Sequence, residues 1–256
     1  MKTKEEIVEN WLPRYTGTPI QEFGQYILLT NFINYVKFFA EKFNVEVKGT
    51  DRAMQTATAN NITIINFGMG SPMAATIMDL LSAIKPEAVL FLGKCGGLKK
   101  TQVGDLILPI AAIRGEGTSN DYMPEEIPAL PSFRLQMAVS HTIVKHKMDY
   151  WTGTVYTTNR RLWEHDDNFK EYLKNIRTLA IDMETATLFI TGFANSIPYG
   201  ALLLVSDNPL VPEGVKTEES DRRVTSDFVG KHLEIGIDAL TELASSGESV
   251  KHLRFE

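Results

Sequence analysis

Residues 62–92 read ITIINFGMGSPMAATIMDLLSAIKPEAVLFL, and this stretch decides the fold class. ITIINF (62–67) is a short apolar run with the length of a buried strand, and GMGSP (68–72) follows it as a turn. MAATIMDLLSAI (73–84) reads as a helix, and Pro86 separates it from AVLFL (88–92), a second strand. Working outward, GKCGG (93–97) reads as a second glycine turn and DLILPIAAI (105–113) as another strand. WTGTVYTT (151–158) is a strand running into a loop, 163–176 a charged helix, 183–195 a helix, 201–205 a strand and 217–244 a long closing helix. On the N-terminal side, Ile27, Leu28, Phe32, Val36, Phe39 and Phe43 recur at helical spacing and predict a helix over 22–43. Strands alternating with helices predict an α/β sandwich around a largely parallel or mixed sheet. In such sheets ligands gather at the carboxyl ends of the strands, where GMGSP, GKCGG, IRGEGTS, VYTTN and SDNP all fall.

The chain has 256 residues, and no repeat, low-complexity tract or linker divides it, so a single catalytic domain over 1–256 is expected. Apolar residues make up 43% and charged residues 23%, the balance of a globular enzyme or binding protein. A net charge of −6 argues against general affinity for nucleic acid or anionic membrane, so an anionic ligand must meet a local basic cluster. MKTKEEIVEN lacks the apolar core of a signal peptide and no apolar run approaches a membrane span, from which a soluble, cytoplasmic protein is expected. Cys95 has no second cysteine to pair with, which fits a reducing compartment.

Two apolar segments end in acids. LAIDMETATLFI (179–190) carries Asp182 and Glu184, and ALLLVSDNP (201–209) breaks from a buried-strand pattern into Ser206, Asp207 and Asn208. Asp182 is satisfied by a helix-start role, capping N–H groups and complementing the macrodipole. A carboxylate at Glu184, in the packed first turn between Met183 and Ala186, needs hydrogen-bonding partners, and vicinal hydroxyls would supply them. Ser-Asp-Asn-Pro is equally turn chemistry, so Asp207 alone has two readings. The five histidines show no zinc-ligand spacing and neither GxSxG nor HExxH occurs, so neither a metal nor a serine nucleophile is expected. GMGSP lacks the third glycine of a dinucleotide fingerprint and GKCGG is not a Walker loop, so each reads either as a tight turn or as backbone N–H groups facing an anion or sugar.

The order GMGSP, GKCGG followed by VGDLILP, DMETAT and then VSD resembles the nucleoside phosphorylase and nucleosidase family over about residues 20–243. The separation of Glu184 and Asp207, 207 − 184 = 23, is similar to that of the Met-Glu and Ser-Asp acids in the purine-cleaving members. This resemblance implies a three-layer αβα sandwich around a mixed, partly barrel-like sheet. It implies that Glu184 accepts the ribose 2′- and 3′-hydroxyls, that Met183 packs under the sugar, and that Asp207 is the acid at purine N7. Tyr156 falls where members place a ring against the base, and Gly68, Gly70 and Gly96 belong to the glycine segments around the ligand. No cofactor is implied. Family members are commonly hexamers, so a homo-oligomer, possibly a hexamer, is expected.

FLGKCGGLKKTQVGDLILPIAAIRGEGTSNDY (91–122) is most similar to members acting on AMP, which implies hydrolysis to adenine and ribose 5-phosphate. Phe91 stands where purine phosphorylases carry a phosphate-binding arginine, and Lys94 replaces a small phosphate-contacting serine, both pointing to water as nucleophile. Candidates for the 5′-phosphate are Lys94 and Arg114, which lie beside strand-end turns, then Arg14, Lys48, Arg52, Arg222 and Arg223; Arg222 or Arg223 could instead close over Asp207. A nucleoside phosphorylase for purine or uridine substrates and a non-catalytic nucleotide-binding protein are the alternatives.

Overall fold

In the computed structural model, residues 2–246 are described. Helix α1 (Lys4–Thr16) starts on a capping box in which the Thr3 hydroxyl accepts the Glu6 N–H and the Glu6 carboxylate accepts the Thr3 N–H. Strand β1 (Tyr26–Thr30), helix α2 (Ile33–Phe43), the hairpin β2 (Gln55–Ala59) and β3 (Ile62–Asn66), and helix α3 (Ser71–Leu81) follow. Then come β4 (Ala88–Gly97), β5 (Leu106–Gly115), α4 (Phe133–Lys145), β6 (Trp151–Thr158) and α5 (Asp167–Asn175). The chain continues through β7 (Ala180–Asp182), α6 (Thr185–Ala194), β8 (Tyr199–Asp207) and α7 (Glu218–Ser246).

The eight strands of the described residues form one mixed sheet in the order β2-β3-β1-β4-β7-β6-β5-β8, and β8 pairs back onto β4. The ring β4-β7-β6-β5-β8 is therefore a closed five-stranded barrel, with β1, β3 and β2 as an open wing. Helices cover both faces. One core holds Phe67, Phe91 and Phe189 with residues of α3 and α6; the other holds Tyr35, Phe39 and Leu92 with residues of α2, α4 and α7. This is the expected three-layer architecture, barrel included. Among the described residues no helix is long and apolar enough to cross a membrane.

Two expectations are corrected. Residues 22–43 are not one helix: Ile27, Leu28 and Leu29 lie in β1, fully buried between the parallel strands β3 and β4. Their spacing also suits a helix, and a short apolar run cannot separate the two by periodicity. GKCGG is not a turn but the second half of β4, whose ten residues are all buried. Glycine is needed there for closeness. A Cβ on Gly96 would lie 2.8 Å from the Pro209 ring, where β4 closes against both β7 and β8 and its register with β8 shifts.

Candidate functional site

The carboxyl ends of β1, β4, β6, β7 and β8 surround an open cleft of about 640 Å³, counted out to its mouth. The turn after β7 contributes Met183 and Glu184, while β8 contributes Ser206 and Asp207. Lys94 and Gly96 come from β4, and Asn31 and Phe32 from the link between β1 and α2. The Glu184 and Asp207 carboxylates thus share one cavity, at the strand ends where the alternation of elements put them.

Glu184 is 2% exposed and stands at the entrance of α6. Its Oε1 accepts the Gly70 N–H at 2.7 Å and its Oε2 the Met183 N–H at 3.3 Å. The Asn31 side chain beside this carboxylate favours its ionised form, against the larger effect of burial. Gly70 has φ +91°, a conformation other residues adopt only under strain, and this aims its N–H at Glu184. GMGSP is therefore a bracket for the carboxylate: the Gly70 donor is spent on Glu184, and the Gly68 N–H on Asn66 Oδ1 at 3.3 Å. Burial, reinforced by the charge of Asp182, pushes the Glu184 carboxyl up to about 8. That shift favours the protonated carboxyl near neutrality.

Asp182 has the helix-start role read for it. Its Oδ1 accepts the Thr157 hydroxyl at 2.7 Å, and its Oδ2 accepts the Thr185 N–H at 2.8 Å together with the Thr185 hydroxyl. Thr157 Oγ1 in turn accepts the Ala186 N–H at 2.9 Å, so the first turn of α6 is pinned to β6 and β7. Met183 is held between, its carbonyl accepting the Ser71 hydroxyl at 2.7 Å.

Asp207 ends β8, where its Oδ1 accepts the Ser206 hydroxyl at 2.5 Å. Burial raises its carboxyl, while Ser206, Lys216 and Arg161 pull it back. The net direction is upward, as an acid working near neutrality requires. Lys94, 7% exposed, donates to Asp221 at 3.0 Å and to Thr225 at 3.1 Å, and its ammonium sits 4.5 Å from the centre of the Phe32 ring. Lys216 reaches the same Asp221 oxygen at 2.9 Å. Burial lowers the Lys94 ammonium; Asp221, from the first turn of α7, favours its charge. For Asp221 burial works upward, but the hydrogen bonds from Lys216 and Lys94 hold it below the usual carboxylate range.

Several expected site residues lie elsewhere. Tyr156 is 8% exposed and packs with Trp163, Leu173 and Ile181 in a third apolar cluster, its edge toward Phe169 and Tyr172, one layer behind the cleft. Arg114 is consumed by the loop that follows it, donating to Ser119, Asn120 and the carbonyls of Met123, Pro124 and Ile127. Arg222 and Arg223 point to solvent on α7, paired with Glu218 and Asp227 one turn away. Arg14 is exposed, Lys48 pairs with Glu22, and Arg52 borders a separate surface pocket. None of these lines the cleft; Lys94 alone of the basic candidates does. The other cations there are Arg160, Arg161 and Lys216. Arg160 and Arg161 directly follow VYTTN, so the loop was legible though its contacting residues were not. Asn31 and Lys216 carried no signal, because nothing in their local sequence differs from ordinary loop chemistry.

A five-stranded barrel with an open wing, and two carboxylates with a lysine at its carboxyl rim, define a class. The chain belongs to the phosphorylase superfamily, whose model matches residues 17–244. Among solved structures it is similar to AMP nucleosidase from Bacteroides thetaiotaomicron VPI-5482, with 57% identity, TM-score 0.86 and coverage of 96% of this chain and 100% of that one. It is 30% identical to the curated AMP nucleosidase of Escherichia coli K12 over 93% of this chain, and spans 58% of that protein's length. Uridine phosphorylase from Vibrio fischeri ES114, 22% identical with TM-score 0.77 over 87% of this chain and 94% of that one, shares the fold.

Proposed function

We propose that this chain cleaves the N-glycosidic bond of AMP with water, releasing adenine and ribose 5-phosphate. The observation that carries the reading is the shared cleft of Glu184 and Asp207, beside a buried lysine and within a chain 57% identical to a structure named AMP nucleosidase. Glu184 accepts the ribose 2′- and 3′-hydroxyls and Met183 supports the sugar. Asp207 gives its proton to purine N7, so the electron pair of the breaking C1′–N9 bond moves onto a neutralised base. Upward displacement of its carboxyl supports that role. Lys94 and Lys216 take the 5′-phosphate, with Asp221 giving way as it enters.

Support for water as nucleophile comes from β4. Phe91 is 1% exposed and packs on Phe67, so this position offers no guanidinium to an inorganic phosphate. Adenine release from AMP by the unaltered protein and by Asp207→Asn tests the reading. A positioned acid contributes about 10²–10⁴-fold, so the variant is expected to lose rate in that range. Equal rates from both proteins contradict it.

A further inference from the structure

Three charged side chains meet where β4, the start of α7 and the segment between β8 and α7 converge. Lys94 Nζ and Lys216 Nζ both reach the same oxygen of Asp221, Oδ1, at 3.0 Å and 2.9 Å. Both ammoniums also face one ring, lying 4.5 Å and 5.6 Å from the centre of Phe32. One carboxylate oxygen thus holds together two cations of the cleft wall, the task that the reading above gives to a phosphate oxygen.

The partners are not anchored alike. Lys94 leaves the buried strand β4 in register with Leu204 of β8, its side chain is only 3% exposed, and its ammonium is also tied to the Thr225 hydroxyl at 3.1 Å. The Asp221 side chain is 38% exposed and sits in the first turn of α7. Solvent is therefore beside it, and an acid released there still complements the positive end of the helix. The lysine is the fixed partner, and the carboxylate is the one that can swing out by rotation of its own side chain.

Charge decides whether two anions can share the lysines. A phosphate monoester carries about −1.5 to −2 near neutrality, which two ammoniums nearly balance. With Asp221 still in place the same site would hold excess negative charge against poorly polarisable walls, so carboxylate and phosphate exclude each other. We propose that Asp221 is an internal competitor for the 5′-phosphate, weakening the binding of substrate and of sugar-phosphate product by one common factor. The inference rests on the reading of Lys94 and Lys216 as the phosphate's partners. The factor is set by the fraction of protein in which Asp221 has left the lysines, since a ligand that needs a minor state binds more weakly in proportion to its population. A nucleoside without a phosphate leaves the carboxylate in place and escapes the factor. Ribose 5-phosphate, left after the base departs, is held less tightly because of it.

Calorimetric titration tests this with a non-cleavable C-nucleotide analogue of AMP, the matching C-nucleoside, and ribose 5-phosphate. Asp221→Asn, which keeps the shape and removes the charge, is expected to bind both phosphates about 3–30-fold more tightly, by equal factors, while the C-nucleoside moves by less than about twofold. Asp221→Glu, which keeps the carboxylate, is expected to stay within about threefold of the unaltered protein for every ligand. Steady C-nucleoside affinity also shows that each variant is folded. If Asp221→Asn binds the phosphates no better, or more weakly, Asp221 orients and charges the lysines instead, and the proposal is overturned. Lys94→Ala separates that failure from failure of the underlying reading: it is expected to weaken both phosphates about tenfold or more and to spare the C-nucleoside. Should Lys94→Ala leave the phosphates unaffected, the 5′-phosphate binds elsewhere, and the proposal falls with the reading.

Discussion

Glu184 and Asp182 sit two residues apart at one corner, and their partners separate them. Asp182 faces donors that belong to the helix it starts, whereas Glu184 has two backbone N–H groups, the Asn31 amide and an open side toward the cleft. That open side gives a pH dependence. With its carboxyl pushed up to about 8, Glu184 in the folded protein binds a proton that the unfolded chain releases at ~4.3. This contribution to stability is present below ~4.3 and is lost as pH rises through about 8. On the proposed role of Glu184, ribose hydroxyls would donate to its ionised form, so affinity for a non-cleavable C-nucleotide analogue of AMP is expected to increase from pH 6 toward about 8 and then level off. Calorimetric titration across that range checks the sign, with Glu184→Gln expected to flatten the curve. Lys94 is the second residue with a separable role. Lys94→Ala is expected to lose AMP cleavage while sparing adenosine cleavage, measured as kcat/KM for both; equal losses would assign it to catalysis or folding.

At the scale of elements, Arg114 teaches how a plausible ligand becomes a strut. It leaves the end of β5 and ties together residues 119–127, an irregular loop whose carbonyls would otherwise lack donors. Arg114→Ala is expected to lower stability by about 1–3 kcal/mol, read by denaturant melts, with substrate preference between AMP and adenosine unchanged. Position next to a strand end made Arg114 a candidate, but sequence carries no direction for a side chain. The same limit explains Tyr156, which alternates inward along β6 toward Leu173 and away from the cleft. Elements with long apolar or periodic signatures, such as β3, α3, β8 and α7, were legible within a few residues. β7, three residues long, was not: its pairing with β4 and β6 is specified by distant strands. Helix α4 was hidden too, since Phe133, Met137 and Val144 are exposed on it and blur the apolar stripe.

For the whole molecule, barrel closure is what unites residues far apart in the chain. Asn31, Lys94, Glu184, Asp207 and Lys216 meet because β4 pairs with β1, β7 and β8 at once, and each of these strands delivers its end to the same rim. The spacing of the two acids and the order of the glycine motifs carried this arrangement in the sequence; the cations of the cleft became visible only with the loops in place. The activity proposed for this cleft is cleavage of a phosphorylated nucleoside by water. Its most direct test is product analysis after incubating the protein with AMP and with adenosine, each with and without inorganic phosphate. Adenine and ribose 5-phosphate from AMP, at a rate that does not require added phosphate, is the expected result. Sugar 1-phosphate products that form only when phosphate is supplied would contradict the account and make the protein a phosphorylase.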